Sequence, residues 1–155
     1  MKYYIGEYWE MMNSDDSDTR DKGDVAWVEM AEKYSTYFET IKNKLPKSFL
    51  NTFEKSDWFH DFEIPNVNLI NTGKYSPIVE FQIKNSNVVY KLVFTGVKKF
   101  VVNIPTIQNW LCGVLTWGYT EFELNDDNLW VIRILCDFDC EIEILFKRIS
   151  ITKIK

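Results

Sequence analysis

The chain has 155 residues, 46% of them apolar and 16% aromatic, with a formal net charge of −5. That length and apolar content support one domain, residues 1–155, with a substantial core, and exclude a disordered chain. The acidic balance argues against a nucleic-acid binder, which carries a basic face, and suits a partner with a basic surface. The opening residues lack the apolar run and small-residue cleavage site of a secretory signal, and no segment approaches the ~20 apolar residues of a bilayer span. Three cysteines, Cys112, Cys136 and Cys140, are odd in number and lack a disulfide-framework spacing. A soluble protein of the reducing cytoplasm, not a membrane protein, is the expectation.

Tyr4, Ile5, Tyr8, Trp9 and Met12 fall on one helical face and predict a short first helix. Residues 13–24 are almost devoid of apolar side chains and read as a mobile acidic loop. Trp27, Met30, Ala31, Tyr34, Tyr37, Phe38, Ile41 and Leu45 then form the apolar stripe of a long amphipathic helix, with Asp24 as its N-cap. Pro46 ends it and opens a further helix carrying Phe49, Leu50 and Phe53.

From Trp58 onward the pattern is that of strands. Residues 62–70 alternate, with Pro65 confining them to an edge or a bulge. Residues 78–84 and 88–95 flank the turn Asn85-Ser86-Asn87, and 97–104 follow Gly96, stopped by Pro105. A strand from about 114 to Leu124, bracketed at its start by Gly113 and Gly118, turns at 125–128. It is followed by strands over 129–137 and 141–151, joined by a tight turn at Phe138-Asp139. Two or three N-terminal helices packed on an antiparallel sheet of six or seven strands make an α+β domain, and consecutive strands predict a meander.

The only histidine, His60, lies in Trp58-Phe59-His60-Asp61-Phe62-Glu63, where helices give way to strands. A carboxylate beside an imidazole is the chemistry of a general base, which singles out His60, Asp61, Glu63 and Trp58 as candidate functional residues. Adjacent strand residues point to opposite faces, however, so the dyad is not expected to form, and a structural His60 bonded to main chain is the simpler reading. Cys112, Cys136, Cys140 and His60 are an acceptable zinc set and Cys136-x3-Cys140 has ligand spacing, but no second pair has it, and the cysteines read as small apolar residues. A calcium loop begun at Asp16 fails at Arg20, Asp21 and Trp27. No nucleophile elbow, phosphate loop or dinucleotide fingerprint is present, so no catalytic residue, metal or cofactor is assigned. The basic pairs Lys98-Lys99 and Lys147-Arg148, with Lys153 and Lys155, read as a wet sheet face and not as a nucleic-acid surface.

Met1-Lys2-Tyr3-Tyr4, Phe59-His60-Asp61, Tyr119-x-Glu121-Phe122 and Phe146-Lys147-Arg148-Ile149-Ser150-Ile151 together resemble a family of small bacterial proteins with a domain of unknown function. Phe62 departs from the small polar residue usual after the Asp of that motif. The resemblance implies fold and bacterial origin and no catalytic residues. The function expected is non-enzymatic protein binding, with immunity proteins that neutralise a basic toxin as one form. The alternatives are a small enzyme using His60 with a nearby carboxylate, and a small-ligand binder whose aromatic pocket draws on Trp27, Tyr34, Trp58 and Trp117.

Overall fold

The computed structural model describes the chain except residues 72, 74–76, 105–114 and 138–139. Three helices come first: α1 (Gly6–Met12), α2 (Ser17–Ile41) and α3 (Lys47–Lys55). The strands are β1 (Phe62–Ile70), β2 (Ile78–Lys84), β3 (Val89–Thr95), β4 (Lys99–Asn103), β5 (Leu115–Leu124), β6 (Trp130–Cys136), β7 (Glu141–Phe146) and β8 (Arg148–Lys153). The class is α+β with an antiparallel sheet, but the sheet has eight strands where six or seven were expected.

The extra strand comes from a corner. The expected strand over 141–151 is divided at Lys147 into β7 and β8, and Gly96 bends the β3–β4 strand at the facing position. Gly96 has φ +66°, and a Cβ there would lie 2.7 Å from that of Lys147. Glycine is therefore required both by backbone conformation and by the close approach of the two chains.

Strand order is β4-β7-β6-β5-β1-β2-β3-β8. A simple meander is thus corrected. β1-β2-β3 and β5-β6-β7 are each meanders, while β4 reaches across to β7 and β8 returns to β3. Because β3 runs into β4 and β7 into β8, the two bent strands lie side by side and the pairings return to their start. The short β1–β5 seam, Phe62–Ile64 against Leu115–Trp117, completes the ring. The interior of this barrel-like sheet holds Phe81, Ile83, Leu92, Phe94, Trp117, Ile132, Ile134, Ile144 and Phe146, each 0% exposed. Pro65 sits at the bulge between Glu63 and Asn66, where the β1–β2 register shifts.

The long helix starts earlier than its apolar stripe. Residues 17–24, expected as loop, are its first two turns, and Asp16 rather than Asp24 is the N-cap, accepting from the Thr19 N–H. Gly23 explains why this polar segment packs: a Cβ there would lie 2.7 Å from the Met12 backbone nitrogen, so α1 lies directly against it. Further along, α2 covers β5 where β1 has diverged. The Phe122 N–H donates to the Tyr34 hydroxyl at 2.7 Å and the Leu124 N–H to that of Tyr37 at 3.3 Å. Helix side chains here satisfy strand-edge donors that no neighbouring strand reaches. Helix α3 adds Phe49, Leu50 and Phe53 to the core, as its sequence spacing predicts.

The expected stop at Pro105, the Gly113 bracket, Cys112 and the turn at Phe138-Asp139 lie outside the described residues. Among the described residues no helix is long and apolar enough to cross a membrane.

Candidate functional site

The joint between α3 and β1 is built from unusual backbone. Asp57, Trp58 and Phe59 have φ of 48°, 58° and 62°, and Asp61 has φ 64°. The Phe59 N–H donates to the Ser56 carbonyl and the His60 N–H to that of Asp57, both at 2.9 Å, closing a left-handed turn. Left-handed conformation costs a non-glycine residue about 1–2 kcal/mol, and for a bulky Trp it is an outlier. Packing offsets the cost. Phe59 is fully buried against Phe53, Phe62 and Trp117 at ring separations of 5.2–5.5 Å, and Trp58 rests on Phe38 and Phe53. The Asp61 N–H then donates to the Trp117 carbonyl, fixing the exit into β1. Strain that the surroundings over-determine is a mark of functional segments.

This backbone overturns the expectation that His60 and Asp61 point apart. Neither residue is in a strand, and the left-handed Asp61 brings its carboxylate round to the imidazole, with Nδ1···Oδ1 at 3.1 Å. The contact orients the ring, whose edge also meets Tyr119 at 5.1 Å and 76°. Asp61 remains 85% exposed and His60 37%, so the pair stands at the surface.

Tyr119 reaches the joint because of a second bulge. In β5, Leu115 and Trp117 face the core; the register shifts between Trp117 and Tyr119, and Phe122 takes over the inward position. The shift turns Tyr119 and Glu121 outward. Gly118 permits it, since a Cβ there would lie 2.6 Å from the Leu135 carbonyl oxygen. Bulges commonly re-aim a side chain next to a site.

Two clefts flank the His60–Tyr119 pair. One, of about 450 Å³, is lined by Trp9, His60, Asp61, Tyr119, Leu135 and Asp137 among others. The other, of about 360 Å³, lies between α2 and β5 and includes Tyr4, Tyr34, Asp57, Trp58 and Tyr119. Burial, then the nearby Asp61 carboxylate, raises the Tyr119 phenol above its ordinary value. Burial likewise pushes Tyr4 up to about 12, with Glu121 and Tyr119 adding to the shift.

Of the sequence candidates, His60, Asp61 and Trp58 gather here, whereas Glu63 pairs with Lys84 across β1–β2 at 2.8 Å. Tyr34 and Trp58 line the second cleft, but Trp117 is fully buried and donates its indole N–H to Thr120. Trp27 packs edge-on to Tyr119 at 4.6 Å. Cys136 borders the first cleft, yet its thiol is hydrogen-bonded to Cys140; that bond and burial hold it well above its ordinary value. It is no ready nucleophile for His60. Among the described residues no three His, Cys, Asp or Glu side chains converge as metal ligands would.

One group stood in the sequence only within the Tyr119-x-Glu121-Phe122 motif, with no role marked for it. Glu121 is 1% exposed, and its carboxylate accepts from the backbone N–H groups of Lys2, Tyr3 and Tyr4 at 2.6–3.0 Å. It pins the first residues as a strap over β5, and places Tyr4 stacked on Tyr119 at 5.1 Å. The bulge that turns it outward leaves no local pattern, and nothing nearby announces donors 117–119 residues away. Beside it, Arg133 joins Glu123 and Glu143, each at 2.9 Å, and Lys99 joins Glu143 at 2.8 Å.

Set against known proteins, the chain matches no family model and no curated protein.

Proposed function

We propose that this chain is a non-enzymatic protein-interaction module of the bacterial cytoplasm, docking a partner with a basic surface at the clefts around His60. The observation that carries the reading is the lining. Asp57, Asp61 and Asp137 stand beside Trp9, Trp58, Tyr4 and Tyr119, with no Lys or Arg among the described lining residues of either cleft. Exposed carboxylates on a rigid aromatic frame suit recognition of cationic side chains. Several bases elsewhere, including Lys84, Lys99 and Arg133, are engaged by carboxylates, which supports a protein rather than a nucleic-acid partner. Neutralisation of a basic toxin domain is one form such binding takes.

The test is affinity capture from the native host, and against toxins encoded nearby, with wild type and an Asp61→Asn/Asp137→Asn variant. A partner held by wild type, released by salt and lost by the variant supports the reading; no partner, or one held equally by both, defeats it.

The 3.1 Å His60–Asp61 contact favours a second reading, a small enzyme with His60 as general base. On that reading His60→Gln abolishes an activity while leaving the fold intact. An aromatic pocket for a small ligand is the third; a thermal-shift screen with no stabilised condition counts against it.

A further inference from the structure

The interaction reading leaves open which cationic side chain the first cleft selects, and its walls differ from those of a general acidic surface. Trp9 projects from α1 and is 40% exposed, with its ring 5.9 Å from that of Trp27. Its ring lies 6.0 Å from that of Tyr119 at an interplanar angle of 60°, so the two present an angled aromatic corner. Asp61 and Asp137 line the same cleft. Asp61 is 85% exposed and has no Lys or Arg partner among the described residues. The floor is made in part by Gly118 and Leu135, where the bulge brings the two strands into close contact. A lysine ammonium is a strongly hydrated point charge that gains little from a flat wall. A guanidinium is planar and weakly hydrated, stacks on aromatic faces and donates in a fork to carboxylates.

We infer that the first cleft is an arginine site: a guanidinium from the partner lies against Trp9 and Tyr119 and donates to Asp61 and Asp137. The inference rests on the interaction reading, because it names the side chain through which that partner docks. His60 holds Asp61 through Nδ1 and meets Tyr119 edge-to-face.

The test uses the full chain, with backbone and indole NMR signals followed during titration with acetyl-Gly-Arg-Gly-amide and its lysine and citrulline counterparts. Saturable shifts at Trp9, Asp61 and Tyr119 are expected with the arginine peptide, about fivefold tighter than with lysine, and none with the uncharged citrulline peptide. Asp61→Asn and Asp137→Asn each weaken binding by about threefold or more, and Trp9→Leu does the same, while the remaining spectrum reports an intact fold. Equal binding of arginine and citrulline, shifts unaffected by the double Asn variant, or no saturable shift overturns the proposal. Its failure is separable from that of the interaction reading. A protein partner that binds at this face with undiminished affinity after its arginines become lysines sinks the arginine site alone. An arginine peptide that binds as described, with no protein partner competing for the cleft, sinks the interaction module alone.

Discussion

At the scale of single residues, the joint and the strap carry the sharpest expectations. Asp57 is exposed and has φ 48°, so its side chain gives the core nothing while its backbone is held left-handed. Asp57→Gly relieves that conformation and is expected to stabilise the protein by about 0.5–1 kcal/mol, net of added freedom in the unfolded chain; a rise in the urea midpoint at constant slope checks it. Glu121 offers the opposite case. Replacing it by Ala leaves the N–H groups of Lys2, Tyr3 and Tyr4 without their acceptor. A loss of about 2–3 kcal/mol is expected, with faster amide exchange at Tyr3 and Tyr4 preceding global unfolding. Neither feature was legible in the sequence. The Phe59-His60-Asp61 run looks like the start of a strand, and only a left-handed Asp61 turns its carboxylate toward the imidazole.

At the scale of elements, the sequence was most readable where burial is periodic. Trp27, Tyr34, Phe38 and Ile41 are buried as the helical stripe requires, whereas α2 ends at Ile41 and Leu45, expected on the same helix, is buried from an extended residue beyond it. The Asn85–Asn87 turn joins β2 to β3, with the Asn85 side chain accepting from the Asn87 and Val88 N–H groups. What was missed has a physical cause in each instance. Ser17–Asp24 lacks an apolar stripe because its contact with α1 is made through Gly23, which has no side chain to show. The corner at Lys147 did leave a trace: inward positions change from Ile142, Ile144 and Phe146 to Ile149, a shift in parity that one continuous strand does not make. The same kind of shift, from Trp117 to Phe122, marks the bulge that builds the site. Gly23→Ala tests the first of these packings. The added methyl meets backbone rather than a flexible side-chain end, so α1 must move off α2, with an expected loss of more than about 1 kcal/mol and raised amide exchange in α1.

For the whole molecule, charge and pH set the limits. Burial raises the Glu143 carboxyl, but Lys99 and Arg133 outweigh it and hold the group below its ordinary value. A depressed carboxylate adds stability that is present above its unfolded pKa and lost as pH falls through the lower, folded value. In Arg133→Gln that acid-side decline is expected to be shallower, as urea titrations across the carboxylate range can measure. On the alkaline side Tyr4, pushed up to about 12, adds stability present below its unfolded value near 10 and lost as pH rises toward 12. In Tyr4→Phe this contribution to the alkaline loss is absent, which ultraviolet-monitored unfolding would reveal.

The strap held by Glu121 also constrains the order of events during synthesis. Lys2, Tyr3 and Tyr4 leave the ribosome well before β5, and the carboxylate that receives them is translated more than a hundred residues later, the separations being 117–119. Until β5 has emerged these residues have no anchor, and the helical hairpin that follows them has no strand edge for Tyr34 and Tyr37 to cover. Contacts of such long range form slowly. The nascent chain therefore exposes an aromatic-rich helix pair while its sheet is incomplete, a state whose apolar surface favours aggregation. Moving residues 1–41 to a position after Lys155 would reverse that order, with β5 waiting for its cover instead of the cover for β5.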